Sequence, residues 1–301
     1  MGPTEESRRA LESSPASFIE REIREFVRTS PDNRLSFMNE YVMWTDPLVG
    51  FADADDPIFT QYKTIISPEH LTPREALARA YNKASEEMPA SLSVISWILP
   101  AAEETRQANR AERRVPSRLW SHTRWYGEKF NDQLRRHTVE LLTASGRMAT
   151  APFLQPYFKT LSNQKGPYSN WSERHVAFAA GLGTFSLSDG LITERGVAIR
   201  CGSVVTDLKI PPTPRTATGP YSNCLFYAGV SCRACIERCP AGAISEEGHD
   251  KIKCQKYLSD LGYSLQKPYD NEKSVAGCGL CQTKVPCESQ NPVARVKRHA
   301  T

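Results

Sequence analysis

The first 200 residues contain no cysteine, because all nine cysteines of this 301-residue chain lie between Cys201 and Cys287. Secreted proteins that rely on disulfides are usually small and cysteine-dense throughout. The sequence also lacks any run close to the roughly 18 apolar residues that a membrane span needs. Arg8-Arg9 is not followed by an apolar signal core. We therefore expect a cytoplasmic protein without membrane partners, whose reduced cysteines are available as metal ligands.

The composition has little charge bias and no repetition. A net charge of +4 is too small to indicate a nucleic-acid partner. Hydrophobic residues make up 40% of the chain and charged residues 24%, which is typical of a folded globular protein. We find no repeat at a solenoid period and no low-complexity tract. A chain of this length has room for one large domain or two smaller ones.

Local patterns predict helices and strands before the cysteine-rich segment. Ser17 and Glu20 have the spacing of a capping box, and Thr72-Pro73 begins a second helix. Strand-like segments on both sides of a turn at 194–196 predict a hairpin. The predicted elements are helices over 17–28, 117–144 and 172–180, a buried strand over 93–99, and the hairpin over 190–207.

The cysteine spacing carries the strongest functional signal. Cys232, Cys235 and Cys239-Pro240 form the C-x2-C-x3-C-P end of a bacterial ferredoxin run, in which the cysteine before proline ligates the other cluster. Gly229 occupies the place of the usual first cysteine. Cys224, farther upstream, can supply that ligand from a longer loop.

Counting the downstream cysteines gives eight ligands, which suits two [4Fe–4S] clusters. Ferredoxin pseudo-symmetry assigns Cys224, Cys232, Cys235 and Cys287 to one cluster, and Cys239, Cys254, Cys278 and Cys281 to the other. Five residues separate Cys281 from Cys287, where about three are usual. Cys201 is left over and is expected to be a buried, apolar residue.

Structural zinc and disulfides are the alternatives for these cysteines. Zinc also binds C-x2-C pairs in sets of four, but it does not require the interleaved C-x3-C-P pattern. The predicted organisation is an N-terminal helical region (1–89), an α/β cofactor or substrate domain (90–210), a proline-rich linker (211–223) and a ferredoxin-like two-cluster domain (224–301).

Three segments before the cysteines resemble the epoxyqueuosine reductases, which are cobalamin-dependent iron–sulfur enzymes related to the reductive dehalogenases. They are Ser172–Gly183, with Glu173-Arg174 and Gly181-Leu-Gly183; Ser186–Gly190; and Gly202–Leu208, with Thr206-Asp207. The resemblance covers about 90–290. The ending Cys278–Ser289 looks closest to a branch that departs from the Cys-Pro ending of the tRNA enzyme.

The resemblance implies an α+β fold: a nitroreductase-like α/β cobalamin-binding domain, followed by a two-[4Fe–4S] bacterial ferredoxin-like domain. In the family, a base-off corrinoid lies between the two domains and receives electrons from the nearer cluster. By analogy, the corrin contacts of this chain would be Glu173, Gly181, Gly183, Ser186, Gly190, Gly202, Ser203, Val204 and Val205.

One departure from the family concerns the proton donor. Epoxyqueuosine reductases carry an aspartate shortly before the Glu-Arg pair, whereas 164–172 contains no carboxylate here. Tyr168 is the nearest possible acid, and we hypothesise that it donates the proton with help from Arg174. A packing role for Tyr168, and a capping and salt-bridge role for Glu173-Arg174, are the alternatives.

Together these features predict a reductase that passes electrons through two clusters to a corrinoid, which reduces an organic substrate. The expected partners are an external low-potential donor of the ferredoxin or flavodoxin type and a small organic substrate or modified nucleoside or tRNA. The alternative is a cluster-only electron-transfer protein. The roughly 200 residues before the clusters favour the enzyme, because a two-cluster carrier needs far less chain.

Overall fold

A four-stranded antiparallel sheet forms the centre of the structure, a computed structural model that describes residues 5–269 and 277–299. Its helices are α1 (Glu5–Ser13), α2 (Pro15–Thr29), α3 (Pro57–Ile65), α4 (Pro73–Ala80), α5 (Glu103–Ala111), α6 (Arg118–Ala144), α7 (Glu173–Ala179), α8 (Ala234–Glu237), α9 (Lys251–Tyr269) and α10 (Pro292–His299). Its strands are β1 (Arg34–Leu35), β2 (Tyr41–Val42), β3 (Leu48–Asp53), β4 (Ser93–Pro100), β5 (Ala149–Thr150), β6 (Thr160–Asn163), β7 (Gly166–Ser169), β8 (Gly183–Phe185), β9 (Leu191–Thr193), β10 (Ile199–Thr206), β11 (Ile244–Ser245) and β12 (Gly248–His249).

The central sheet has the strand order β3-β4-β10-β5. Strands β4 and β10 pair along their full lengths, with Ser93 opposite Thr206 and Pro100 opposite Ile199. Every residue of β4 is buried. The strand is therefore covered on both faces, which explains its almost continuous apolar sequence.

Side chains that alternate along the two middle strands supply two hydrophobic clusters. Ile95 and Val204 join α2 and α6 in the first cluster. Val94 and Val205 join α3, α4 and α7 in the second. Helices thus cover both faces of the sheet.

Helix α6 is held against β10 by polar groups as well as by apolar packing. Ser117 caps its start by accepting a hydrogen bond from the Trp120 amide at 3.1 Å. In its middle, Asn131 Nδ2 donates to the Cys201 carbonyl at 2.9 Å, and Trp97 Nε1 donates to Asn131 Oδ1 at 2.8 Å. These bonds fix the face of α6 that looks toward the middle of β10.

The N-terminal region contributes a strand to the same sheet. β3 pairs with β4 from Leu48–Ile98 to Asp53–Ser93. Gly50 is required in β3, because a Cβ there would lie 2.6 Å from the Ala180 carbonyl oxygen. The predicted boundary at residue 90 therefore does not separate a helical region from the sheet.

The proline-rich linker covers the outer edge of β3. The Thr213 amide donates to the Phe51 carbonyl at 2.9 Å, and the Phe51 amide donates to Thr213 Oγ1 at 3.0 Å. The linker is thus bonded to the sheet along part of its length, and it protects an edge strand that would otherwise expose unpaired backbone groups.

Several local predictions are confirmed. The strand over 93–99 is β4, the long helix is α6, and the Thr72–Glu75 capping box is present at the start of α4. Two predictions are wrong.

The first is the capping box at Ser17 and Glu20. Helix α2 begins at Pro15 after Ser14, so Ser17 and Glu20 lie inside it.

The hairpin over 190–207 is the second error. β9 pairs with β8, and β10 pairs with β4 and β5. The turn at Thr193–Gly196 does exist and is closed by backbone hydrogen bonds in both directions. The chain after that turn enters the centre of the sheet because β10 is apolar enough to be buried on both faces.

Within the described ranges, no helix combines the length and the apolarity that crossing a membrane requires.

Replacing Gly127 with alanine is expected to destabilise the protein by about 1–3 kcal/mol. Alanine for glycine inside a helix ordinarily stabilises, by up to about 1 kcal/mol. Here the new Cβ would lie 2.5 Å from the Trp44 ring, which is 1% exposed. Urea denaturation measures the effect. Arg136→Ala, at an exposed position of the same helix, is the control, with an expected change within about 0.5 kcal/mol; a stabilised Gly127→Ala would contradict the packing.

Candidate functional site

Four cysteines from separate parts of the chain line one small cavity: Cys224, Cys232, Cys235 and Cys287. Burial raises the pKa of Cys287, and the charges of the other three thiols raise it further. Burial, followed by the charges of Cys224 and Cys232, raises the pKa of Cys235 to about 11. The four sulfurs are therefore close enough to interact.

A second set of cysteines meets beside the first. Burial raises the pKa of Cys281 well above its usual value, with added contributions from Cys278, Cys254, Cys239 and Cys235. The Ala243 amide donates to Cys239 Sγ at 3.3 Å. Because Cys235 of the first set acts on Cys281 of the second, the two sets are neighbours.

The structure thus brings together the same two sets of four that the spacing predicts. Buried thiols are poor thiolates unless a cation neutralises them, and metal binding removes their protons. All nine cysteines are free thiols, so the structure does not support the disulfide alternative.

Zinc and iron–sulfur clusters require different spacings of these sulfurs. Among the described residues, no three His, Cys, Asp or Glu side chains are close enough to share a single metal ion. A zinc ion needs sulfurs at about 2.3 Å, whereas a cubane takes its thiolates at separate corners. The interleaved C-x3-C-P spacing remains the feature that favours iron–sulfur clusters over zinc.

Glu288 attaches the cysteine segment to the sheet. Its carboxylate accepts hydrogen bonds from Arg110 on α5, at 2.9 Å, and from the Lys284 amide, at 2.6 Å. Its backbone carbonyl accepts bonds from the amides of Val197 and Ala198, at 3.2 Å each. Glu288 is 3% exposed and follows Cys287 directly, so these bonds position that cysteine.

Arg238 and Asn109 connect the other cysteine motifs to α5. Arg238 lies just before Cys239 and donates to the backbone carbonyls of Asn109, Glu112 and Thr283, at 2.7–3.2 Å. Asn109 Nδ2 donates to the Cys278 carbonyl at 3.2 Å. The cysteine loops therefore take their positions from α5.

A separate cavity of about 330 Å³ lies between α6, α7, β10 and the second cysteine set. Gln282, the residue after Cys281, forms part of its wall. Its charged lining consists of Arg124, Glu128, Arg135, Glu173, Arg174 and Arg200. This arginine-lined cavity is the candidate substrate site, since it combines concavity, titratable groups and closeness to the predicted redox groups.

Arg135 organises the acidic groups of the cavity. It is 1% exposed and donates to Glu128 at 2.7 Å, to Asp132 at 2.7 Å and to Glu173 at 3.1 Å. It also donates to the Cys201 carbonyl at 3.3 Å. Attraction to Arg200 and Arg135 outweighs burial and lowers the pKa of Glu128 to about 2.

The pKa of Glu173 shifts in the opposite direction to that of Glu128. Burial raises the pKa of Glu173 to about 7, although Arg135 and a 2.5 Å hydrogen bond from Ser203 Oγ act against the shift. A carboxyl group with this pKa holds a proton on a large fraction of molecules at neutral pH. Glu173 is the titratable group of the cavity that suits proton transfer.

The structure separates the two predicted catalytic residues. Arg174 lines the arginine-lined cavity and donates to the Asp189 carbonyl. Tyr168 lies on β7, opposite Leu161 of β6, and does not line the cavity. Its hairpin packs against the start of α9, where a Cβ on Gly166 would lie 2.8 Å from the Lys251 Cβ.

The residues assigned to a corrin by resemblance are scattered. Only Glu173 and Gly190 line the arginine-lined cavity. Ser186 lines the cavity of the first cysteine set, and Gly181 and Gly183 line a surface pocket beside the linker.

Gly202, Ser203, Val204 and Val205 lie inside the sheet. A Cβ on Gly202 would lie 2.5 Å from the Trp97 ring, and the two valines are fully buried in the hydrophobic clusters. Ser203 Oγ is bonded to Trp171 and Glu173. Close packing of protein on protein, and not an open cradle, accounts for these small residues.

No protein-family model matches the chain. An epoxyqueuosine reductase of Bacillus anthracis is 31% identical over 119 residues, which are 38% of this chain and 29% of that protein. One of Leadbetterella byssophila is 32% identical over 114 residues, 36% of this chain and 35% of that protein. Over these segments the chain is similar to epoxyqueuosine reductases. The similarity confirms the resemblance read from the motifs, and the match spans about a third of each curated relative.

Solved structures give the fold. The catabolic reductive dehalogenase NpRdhA superposes with a TM-score of 0.50 at 17% identity, covering 83% of this chain and 31% of that chain. A selenomethionine-labelled epoxyqueuosine reductase gives a TM-score of 0.47 at 16% identity, covering 91% of this chain and 66% of that chain. The mixed helix and sheet architecture is thus shared with the dehalogenase.

The cavity does not fit the corrinoid that the resemblance implies. Its 330 Å³ are at the lower end of the range of about 300–1,000 Å³ for small-molecule sites. A corrin macrocycle with its nucleotide tail is larger than such ligands. The glycines expected to cradle it pack against Trp97, Pro214, Ile192 and Val197. The cavity instead matches a substrate-sized molecule.

Replacing Glu288 with alanine is expected to lower the free energy of unfolding by about 2–4 kcal/mol, because Arg110 and the Lys284 amide lose their shared acceptor. Chemical denaturation measures this, and metal content is measured on the same preparation. Glu25→Ala is the matched control. Glu25 pairs with Arg28 on the surface, and its loss is expected to change nothing measurable. Equal effects of the two changes would contradict a fastening role for Glu288.

Glu173→Gln is expected to become relatively more stable, against the parent protein, as the pH rises. With a folded pKa of about 7 and an ordinary value of 4.5, the folded parent binds a proton that the unfolded chain releases between those values. The parent therefore loses stability from pH 4.5 to pH 7, by about 1–3 kcal/mol, and the variant does not. Urea denaturation at pH 5 and pH 8 measures the difference. A pH-independent difference, equal to that of Glu25→Gln, would contradict the raised pKa.

Proposed function

We propose that this chain is a cytoplasmic iron–sulfur oxidoreductase that uses two [4Fe–4S] clusters to reduce a small organic substrate in the arginine-lined cavity. The observation that carries the proposal is the meeting of eight cysteines in two neighbouring sets of four, the second of which adjoins the cavity through Gln282. The named activity of the curated relatives, a reduction, supports the reaction class.

The cysteines divide the task of holding the clusters. Cys224, Cys232, Cys235 and Cys287 would hold one, and Cys239, Cys254, Cys278 and Cys281 the other. When bound, such clusters supply single electrons at potentials between roughly −700 and +450 mV, set by burial and by hydrogen bonds to sulfur. Burial of Cys281 and the amide bond to Cys239 Sγ are the features of this chain that act on that potential.

The cavity residues supply a proton for the reduction. A two-electron reduction consumes two electrons from an external donor of the ferredoxin or flavodoxin type. It also consumes two protons, or one when a leaving group departs as an anion. Glu173 holds a proton at its carboxyl oxygen beside the substrate, and Ser203 and Arg135 fix that group. Glu173 replaces Tyr168 as the proposed acid, since Tyr168 lies outside the cavity wall.

A corrinoid stays a sequence-based prediction, and no part of the proposed reaction depends on it. A modified nucleoside or tRNA substrate is likewise a prediction from the resemblance. A cluster-only electron carrier, the other function class, would have no use for a cavity with a proton-holding carboxyl group beside its clusters.

Metal analysis of anaerobically purified protein tests the proposal. About eight irons and a matching amount of sulfide per chain are expected, with little zinc. Cys281→Ser is expected to lower the iron content to about half.

Cys201→Ser is the matched control. Cys201 packs with Ile98 and Ala177, and burial raises its pKa to about 12, so its replacement is expected to leave the iron content unchanged. Zinc in stoichiometric amount, or no metal, would overturn the proposal.

A further inference from the structure

Among the residues that the structure describes, two of the four arginines of the cavity are not ion-paired within 4.0 Å of a carboxylate. Arg135 is bonded to Glu128, Asp132 and Glu173. Arg200 Nε lies 2.8 Å from Glu128 Oε2. Within residues 5–269 and 277–299, Arg124 and Arg174 form no salt bridge.

In the part of the chain that the structure describes, the guanidinium groups of Arg124 and Arg174 bond only to backbone carbonyls. Arg124 makes a single long bond, 3.4 Å, to the Ile199 carbonyl. Arg174 donates to the Asp189 carbonyl. Both line the cavity.

The lining therefore carries excess positive charge, with four guanidinium groups against the carboxylates of Glu128 and Glu173. Burial, followed by the charge of Arg200, lowers the pKa of Arg124 to about 9; Arg174 adds to the effect and the charge of Glu128 opposes it. Glu128 is itself bonded to Arg135 and Arg200, so it compensates the buried charge of Arg124 only in part, and an anion beside Arg124 would lower the remaining cost. The unpaired guanidinium groups favour a ligand with a negative pole.

The rest of the wall combines the polar residues Ser169, Ser172 and Gln282 with an apolar part. Phe153, Trp171, Leu191, Val197 and Ile199 face the same space. A ligand that fills it therefore has an apolar body attached to its anionic group. A carboxylate suits the two arginines because guanidinium groups bind planar oxyanions through paired hydrogen bonds.

We propose that the cavity binds a small organic carboxylate, with its anionic group between Arg124 and Arg174 and its apolar body against Trp171 and Phe153. This names the substrate class, and it rests on the proposed function only for the reduction and not for binding. Arg135 and Arg200 act as positioning residues, since Glu128 holds both of them.

Benzoate and benzamide are matched probes, because they share a shape and differ in charge. Each is titrated calorimetrically into the cluster-loaded protein under anaerobic conditions. Benzoate is expected to bind at least about tenfold more tightly than benzamide. Arg124→Gln and Arg174→Gln are each expected to weaken benzoate by at least about tenfold and to leave benzamide unchanged. Arg124→Lys, which keeps the charge, is expected to recover part of the affinity.

Arg136→Gln is the matched control, since Arg136 is exposed on the same helix as Arg124 and outside the cavity. It is expected to bind both probes like the parent. Thermal denaturation and iron content verify that each variant is folded and loaded. If Arg124→Gln does not fold, Arg174→Gln at the exposed edge of the cavity carries the test. Equal affinity for benzoate and benzamide, or equal effects of Arg136→Gln and the cavity variants, would overturn the proposal.

Two further titrations identify the source of the anionic group. Inorganic phosphate is expected to bind more weakly than benzoate, because it lacks an apolar body; tighter binding of phosphate would overturn the carboxylate assignment. Hydroxocobalamin is expected not to compete with benzoate. Competition that disappears in Arg124→Gln would assign the arginines to the phosphate of a corrinoid and overturn the proposal. Iron and sulfide are measured separately, so a failure of the redox function is recognised independently of a failure of anion binding.

Discussion

The burial of Arg135 is the constraint on which the candidate site depends. A guanidinium group this deep in a protein is tolerated only when carboxylates surround it, and α6 and α7 supply them as Glu128, Asp132 and Glu173. The same guanidinium group donates a hydrogen bond to the Cys201 carbonyl in the middle of β10. Helices α6 and α7 are thereby tied to one point of the sheet. Glu173 faces the cavity because one of its oxygens is bonded to Arg135 and the other to Ser203.

Sequence reasoning succeeded where the signal is local. Helix α6, strand β4 and the Thr72 capping box follow from short-range periodicity and capping chemistry. The partition of the cysteines into two ligand sets stays a prediction from ferredoxin pseudo-symmetry, and the structure brings the members of each set close together. The strand pairings between distant parts of the chain could not be predicted in this way. β3 is short and interrupted by Gly50, and β10 takes partners from distant parts of the chain, so neither pairing was predicted.

The charged lining of the cavity shows a second limit. Arg124, Glu128, Asn131 and Arg135 recur at helical spacing on α6, which is the pattern of a solvated face. The structure turns that stripe inward, against β10. The opposite face, with Lys129, Gln133, Arg136 and Glu140, is polar as well and is the exposed one, so residue type alone does not tell the two faces apart. The glycines show a third limit. Resemblance to the epoxyqueuosine reductases suggested a cofactor cradle, which stays a prediction, and in the structure Gly183, Gly190 and Gly202 permit close contacts within this protein.

The order of the cysteines along the chain has a consequence for biosynthesis. Under the proposed function, each set would take its ligands from both ends of the cysteine-rich segment: Cys224 and Cys287 in the first, Cys239 and Cys281 in the second. Neither set is complete while the later ligands are still inside the ribosome. Closing such long loops carries an entropic cost that a bound inorganic core would offset. Maturation of this region would therefore follow translation, and it would involve none of the first 200 residues as cluster ligands, because they contain no cysteine.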